Sequence, residues 1–467
     1  MKMWSGRFGQ PQDPDFERWQ SSFRFDGRLL KYELAASRVH ANALKKVGVL
    51  SSSELASILQ GLEQIEEQAS AAPSYLQDEA AEDVHHFVEK QLVGLIGDTG
   101  YKLHSGRSRN EQIATDLRLY VRDNIDQLQA IISELIETFI SRAEQAGSAA
   151  MPAYTHLQRA EPVLVAHWLL AYVEMLFRDL GRLGDCRKRV NVCPLGSGAV
   201  AGATLALDRR SMAPQLGFDA PTANSIDATT DRDFILEFVN ALLLLSLHVS
   251  GWAEQMLLFS TQEFGFIVLP EEYSTGSSAM PQKKNPDLLE LTRGKAARIL
   301  GDFTTLAAVL KGLPLAYNKD LQEMQEPLFD AADAMLSVIP PVTGWMKVVE
   351  FNYPRMQEAA RTGCLNAWAA ASYLAERGVP FRLAHERVGN AVRLCVQKGC
   401  ELQDLSLDEL RQFSPEFEQD VYARLSVEGV LSIHDVVGGT APARVKQAIA
   451  EAKNRLAALR GEAHAHA

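Results

Sequence analysis

The chain reads as an all-α protein of three helical domains around a central bundle of long helices, and three observations lead there. First, apolar residues recur every three or four positions over long windows. Between 108 and 147 they are Ile113, Leu117, Val121, Ile125, Leu128, Ile132, Leu135 and Phe139, the spacing that lines one face of an α-helix. Second, similar windows recur at about 162–189, 231–264, 286–311 and 324–349. Five long amphipathic helices bury their stripes against one another, which is a bundle. Third, strand patterning is sparse. Its best run, Phe266-Ile267-Val268-Leu269, directly follows a helical window and can equally close it.

At 467 residues the chain exceeds one ordinary core. Residues 1–106 carry shorter helical pieces, broken at Ser51-Ser52-Ser53 and Ala72-Pro73-Ser74. The bundle follows at 107–355, and its longest window starts with Ser108-Arg109-Asn110-Glu111, a capping-box pattern. At 1.5 Å rise per residue that helix is roughly 50–60 Å long. A stripe of that length rarely buries itself within one subunit, so a helix-based oligomer is expected. After Asn352-Tyr353-Pro354 the helices shorten again, with breaks at Gly378-Val379-Pro380 and Gly438-Gly439, giving a small domain at 356–467. The tail 463–467 is expected to be disordered, with no metal role for its histidines. No repeat of 20–50 residues is visible.

Composition narrows the function. A net charge of −12 argues against a general nucleic-acid binder. The stretch Met1-Lys2-Met3-Trp4-Ser5-Gly6-Arg7-Phe8 has no apolar signal region. The most apolar segment, 234–269, is interrupted by Glu237, Asn240, His248, Glu254 and Gln255, and reads as a buried helix. Five cysteines without a C-x-x-C pair fit reduced thiols and a cytoplasmic protein. H-E-x-x-H, EF-hand, Walker and G-x-S-x-G patterns are missing, so neither a metal nor a cofactor is expected.

Polar patches stand out against this background. Gly276 to Pro286 (GSSAMPQKKNP) joins a hydroxyl-rich turn to two lysines and a helix start. Asn285 suits a cap and Pro286 a first turn. Lys283 beside a helix N-terminus suits an anion, and Ser277 or Ser278 would sit beside it. An ordinary surface turn is the plainer reading. Glu290 follows one turn later, where a carboxylate can orient a histidine or simply be solvated.

His104 to Asn110 (HSGRSRN) opens the longest helix, placing Arg109 and Asn110 where a carboxylate binds, or where a basic turn is merely solvated. Tyr154 to Gln158 (YTHLQ) precedes the Pro162 window, so His156 is expected at a helix start, as acid, base or structural residue. Pro194 to Gly202 (PLGSGAVAG) is glycine-rich, but no strand precedes it, which argues against a dinucleotide site. Tyr317 to Gln322 (YNKDLQ) follows a break between two long helices. Serine, histidine, lysine, arginine and amides at helix ends suit proton abstraction beside a carboxylate and departure of a nitrogen or oxygen group.

Together these patches resemble the fumarase/aspartase superfamily, whose hallmark is the Gly-Ser-Ser-x-Met-Pro-x-Lys-x-Asn loop. Within it the chain resembles the argininosuccinate lyases. The ordered stretches are Trp4 to Phe8 (WSGRF), Glu82 to His85 (EDVH), Leu103 to Gln112 (LHSGRSRNEQ), Tyr154 to Gln158, Leu195 to Gly202 (LGSGAVAG), Gly276 to Asp287 and Lys311 to Glu323 (KGLPLAYNKDLQE). The resemblance implies reversible cleavage of argininosuccinate to arginine and fumarate in arginine biosynthesis or a urea cycle, without cofactor or metal. It also implies an all-helical homotetramer whose active sites draw on three subunits. By motif position, Ser277 is the base for the Cβ proton, and Lys283 and Asn285 hold the developing charge. His156 pairs with Glu290 near the leaving nitrogen. Ser22 and Asp26 face the arginine end, and Arg109, Asn110, Thr155, Arg232, Tyr317, Lys319 and Gln322 complete substrate binding.

The chain departs from the common pattern at Glu161, Gly251, Met324-Gln325 and Gly363-Cys364-Leu365-Asn366-Ala367. Two competing readings remain. Adenylosuccinate lyase would need a nucleotide phosphate site, which the sequence does not offer. A structural protein of the lens-crystallin type would not need Ser277, His156, Lys283 and Glu290.

Overall fold

The structure, a computed structural model, describes residues 10–465. The WSGRF stretch and His466 therefore lie outside the described residues. Five long helices are present where the apolar stripes place them: Arg109–Ala146, Val165–Val190, Asp233–Ser260, Asp287–Leu310 and Gln325–Val348. All eight residues of the first stripe are buried. The Asp233–Ser260 helix is long and apolar enough to cross a membrane, yet over half of its most apolar window is buried inside the protein.

The chain divides into two compact units. One comprises Met1–Gln129, Gly181–Leu244 and Ala297–Leu336, and the other Ala130–Leu180, Leu245–Ala296 and Ser337–Ala467. Each takes a portion of each long helix.

In the first unit, Leu30–Lys46, Ser52–Ala71 and Val84–Ile96 pack through Leu34, Leu44, Ile58, Leu62, Phe87 and Leu92, all fully buried. Ser51 starts the second of these with a complete capping box through Glu54. Loss of such a cap costs about 1 kcal/mol.

In the second unit, the small C-terminal helices Ala367–Glu376 and Phe381–Lys398 share a core of Tyr373, Leu374, Val388, Cys395, Phe417 and Val421. The run at Phe266 does form a strand, Ile267–Val268, paired antiparallel with Glu350–Phe351. The final helix, Pro442–Ala465, continues to the last described residue. The disorder expected from 463 is therefore corrected up to 465. Alanine and glutamate at 462–465 carry good helix propensity and continue the helix.

Two local expectations change. Tyr154 to Gln158 is no helix start: Ala150–Thr155 and Gln158–Leu164 form an antiparallel hairpin, and the helix begins only at Val165. Pro162 lies within the second strand, opposite Pro152, because two facing prolines remove ladder donors on both sides without leaving one orphaned. Asn285 does not cap the following helix, which starts at Asp287. Its amide instead donates to Thr275 Oγ1 at 3.3 Å and Gly276 O at 3.4 Å.

Candidate active site

A cavity of about 550 Å³ in the first unit gathers Ser22, Asp26, Arg109, Asn110, Tyr317, Lys319 and Gln322. These come from three segments far apart in sequence. Ser22 precedes the short helix Phe23–Asp26, which turns its hydroxyl onto Asp26 Oδ2 at 2.5 Å. Asp26 Oδ1 accepts from Val84 N at 3.0 Å. Arg109 and Asn110 form the first turn of the longest helix, behind Ser108, whose hydroxyl accepts from Asn110 N at 3.2 Å. Tyr317 follows Ala316, a residue held at φ +69° and anchored by its N–H on Thr230 Oγ1 at 2.7 Å. Lys319 and Gln322 then ride one short helix, Lys319–Met324, with Gln322 Nε2 donating to Gln20 O at 3.2 Å.

The cavity wall carries both signs of charge. Burial first, and the Asp83 carboxylate second, push Asp26 up to about 7, against the opposing pull of Ser22, His85 and Val84. Arg109 pairs with Asp83 at 2.9 Å and Glu82 at 3.1 Å. Burial works against its charge, but these carboxylates outweigh it. Burial, then Arg107 and Arg109, push His104 down to about 4, so it is neutral near pH 7. Burial raises the Tyr317 phenol, which keeps its proton as a donor. Acidic groups that suit an amino or guanidinium end thus share the wall with cations that suit carboxylates.

Arg232 does not line this cavity. It is fully buried, its Nη1 donating to Asp231 O at 2.7 Å, with Nε and Nη2 lacking hydrogen-bond partners. Burial lowers it to about 10, opposed by nearby Tyr317.

The remaining predicted residues lie in the second unit. Thr155 and His156 occupy the exposed tip of the hairpin. His156 and Leu157 have φ of 54° and 57°, a two-residue turn with both central residues left-handed. Leucine is costly there, on the order of 1–2 kcal/mol, whereas histidine is better tolerated.

Ser277 belongs to a loop whose stem is a short ladder pairing Thr275 with Asn285 and Gly276 with Lys284. Asp287 closes that stem by accepting from Thr275 Oγ1 at 2.5 Å. Ser277 Oγ accepts from Ala279 N at 3.2 Å and Met280 N at 3.0 Å. This is a serine turn in form. In chemistry it aims two amide donors at the oxygen that would carry charge as a base, and such a donor is worth about 3 kcal/mol when the oxygen is anionic. Lys283 and Glu290 are exposed, on the loop and on the helix after it. No hydrogen bond or ion pair joins His156 to Glu290 within the chain among the described residues.

Several cavity residues had no role from sequence reasoning: Glu82, Asp83, His85, His104, Arg107 and Gln325. Four acidic or imidazole side chains within 82–86 were the available signal. Glu111 is another. Beyond accepting from Ser108 N at 3.1 Å, it accepts from Gly198 N at 2.8 Å and ties the glycine-rich loop to the helix start. Gly198 sits at φ +61°, where a Cβ would meet Gly202 O at 2.6 Å.

The departures from the family pattern also have places. Glu161 lies 3.4 Å from His434 Nε2, Gly251 has open space around it, and Gly363 and Cys364 donate to Glu401 at 2.9 and 2.6 Å.

The helical bundle and the family profiles make this chain a lyase of the fumarase/aspartase superfamily. A profile described as "Lyase" matches residues 6–301, and one described as "Argininosuccinate lyase C-terminal" matches 364–432. The fold is similar to an EDDS lyase in complex with formate, with a TM-score of 0.84 and 26% identity over 98% of this chain and 93% of that one. It is also similar to a class II fumarase from Schistosoma mansoni, with a TM-score of 0.73 and 15% identity over 85% and 89% of the two chains.

In sequence, the argininosuccinate lyase of Koribacter versatilis is 58% identical over 98% of both chains. That of Desulforamulus reducens is 49% identical over 98% of this chain and all of its own. The chain belongs to the argininosuccinate lyase family.

Proposed function

We propose that the protein cleaves argininosuccinate reversibly to L-arginine and fumarate, in arginine biosynthesis in the cytoplasm. The observation that carries this reading is the cavity. Segments around residues 22–26, 109–110 and 317–322 converge on one wall that offers carboxylates to a cationic end and cations to carboxylates. Asp26 receives the amino group of the arginine end. Arg109, once a substrate carboxylate displaces Glu82, holds the succinyl end with Asn110, Lys319, Thr155 and Gln322. Arg232 acts from behind Tyr317 through its charge.

Ser277 takes the Cβ proton of the succinyl group. The two amides on its oxygen and the Lys283 ammonium favour the alkoxide it needs. The electron pair left on carbon spreads onto the neighbouring carboxylate as an aci-form, held by Lys283 and shaped by the Asn285-braced loop. The Cα–N bond then breaks. The guanidinium nitrogen leaves with a proton supplied near His156, paired with Glu290 across subunits, and the carbons leave as fumarate. Loop closure over the substrate excludes water.

In this reading the active form is a homotetramer with sites built from three subunits, and the chain parts are 1–106, 107–355 and 356–467. Leu247, Leu291 and Leu300, half or more exposed on two long helices, support helix-to-helix assembly.

The test is a substrate panel read by the ultraviolet absorbance of fumarate. Release is expected from argininosuccinate and not from adenylosuccinate, malate or aspartate; activity on malate alone would sink the assignment. Mixed Ser277→Ala and His156→Ala subunits should regain activity, and silence in demonstrated mixed tetramers would count against shared sites.

A further inference from the structure

Beneath the cavity lies a buried polar layer that the steps above do not use. Glu33 comes from the Leu30–Lys46 helix, His85 from Val84–Ile96, and Gln112 and Asp116 from Arg109–Ala146. All four are buried. Glu33 accepts from Ser37 Oγ at 2.7 Å and Gln112 Nε2 at 3.0 and 3.2 Å, and lies 2.9 Å from His85 Nδ1. Arg107 stands 3.6 Å from it. Asp116 Oδ2 lies 3.8 Å from the same His85 nitrogen. Neither Asp116 oxygen has a hydrogen-bond partner, and neither has His85 Nε2.

The donor atoms of Glu33, His85 and Asp116 lie within 4.8 Å of one another, close enough for a cation to bridge. Arg107 and Gln112 already serve Glu33, however. The charge that balances Glu33 beside the Asp116 carboxyl is therefore that of His85 itself, whose Nδ1 faces both.

We infer that His85 is a positioning residue for substrate binding: an imidazolium locked by Glu33 beneath the cavity, whose fixed charge keeps the Asp26 carboxylate ionised for the substrate's cationic end. This rests on the function proposed above. His85 also lines the cavity, and the backbone N–H of its neighbour Val84 is bound to Asp26.

The surrounding charges support it. Burial disfavours the charge on His85, but Glu33 on one side, with Asp83 and Asp116, outweighs burial and raises it to about 9. Burial and Glu33 push Asp116 well up, so it is the neutral member of the layer. Asp26 faces His85 from the helix Val84–Ile96 and Asp83 from its N-cap, Ser22 from its own segment, Asp116 from the long helix and Tyr317 from the loop before Lys319–Met324. Among these His85 is the cation; Arg107, Arg109 and Lys319 share the cavity wall, where Arg107 stands 3.6 Å from Glu33, Arg109 pairs with Glu82 and Asp83 and Lys319 lies 3.9 Å from Glu82, and His104 is neutral near pH 7. Without His85's charge, burial and Asp83 act on Asp26 with less opposition. Asp26 then takes its proton at a higher pH, and the binding-competent form is lost earlier as pH falls.

The experiment uses the full-length protein. Nitrogen-15 histidine spectra of the wild type at pH 8 should show a slowly exchanging imidazole protonated on both nitrogens, because His85 is buried with its Nδ1 2.9 Å from the Glu33 carboxylate. The variants His85→Gln and Glu33→Gln, checked for folding by circular dichroism, should raise KM for argininosuccinate about tenfold and leave kcat within about threefold. The acid limb of kcat/KM should move up by about one pH unit.

Absence of any imidazolium at pH 8 overturns the inference, and needs no variant to fold. So does a folded His85→Gln protein with unchanged KM and acid limb, or one that loses kcat alone. Failure of the functional reading is seen separately, as a wild type that releases no fumarate from argininosuccinate while the spectra still decide the charge on His85.

Discussion

The cavity wall and the serine loop solve opposite problems. In the cavity, Asp26 and Arg109 are largely withdrawn from solvent and already hydrogen-bonded or paired before substrate arrives. In the second unit, Thr155, His156, Lys283 and Glu290 are exposed, and Ser277 is only half-buried. On the proposed function, recognition would rest on preformed, rigid charges, which spend little entropy on binding. On the same proposal, chemistry would rest on two short β structures whose tips carry the proposed reactive groups, where a base can move with the substrate. The stem around Thr275, Asn285 and Asp287 and the left-handed turn at His156 give those tips defined local shapes while leaving the side chains open.

If that division holds, substitutions in the two regions should split kcat from KM. The largest effect is expected for Ser277→Ala. It should lower kcat by about a thousandfold or more, with KM within a few-fold and the oligomer intact by size-exclusion chromatography. Near-normal turnover would remove serine from the role of base.

Next is Asp26→Asn, which should raise KM about a hundredfold with a smaller change in kcat, since it removes a buried charge partner of the substrate. A kcat loss with normal KM would erase the contrast between the regions.

A milder effect is expected on pH. Because Asp26 is raised to about 7, its charged form is lost as pH falls through that value. In a wild-type profile, kcat/KM should therefore climb with pH up to about 7 and flatten above it; a limb near 4 would place Asp26 outside binding. The smallest effect is expected for Leu157→Gly. Relief of the left-handed leucine, less the entropy of glycine, should stabilise the protein by about 0.5–1 kcal/mol in thermal unfolding.

The long helices were legible in the sequence because a 3.6-residue period over twenty or more residues has no competing reading. The loop from Gly276 was legible because Gly, paired Ser, Met-Pro and Lys follow one another in a few residues. The hairpin at Thr155 was not. Its strands carry prolines and its turn lacks the Asn-Gly signature, so nothing local announced φ above zero at His156 and Leu157. Nor was the layer beneath the cavity, because Glu33, His85 and Asp116 sit on three different helices.

The sequence by itself determined which residues can make helices, where they break, and which chemical groups stand at the breaks, because those are properties of neighbouring residues and their periodicity. Only the tertiary structure decided that residues near 26, 109 and 317 share one wall, that burial pushes Asp26 up to about 7, and that the His85 Nδ1 faces the buried carboxyl groups of Glu33 and Asp116. Those follow from burial and from distances between segments, which no local pattern encodes.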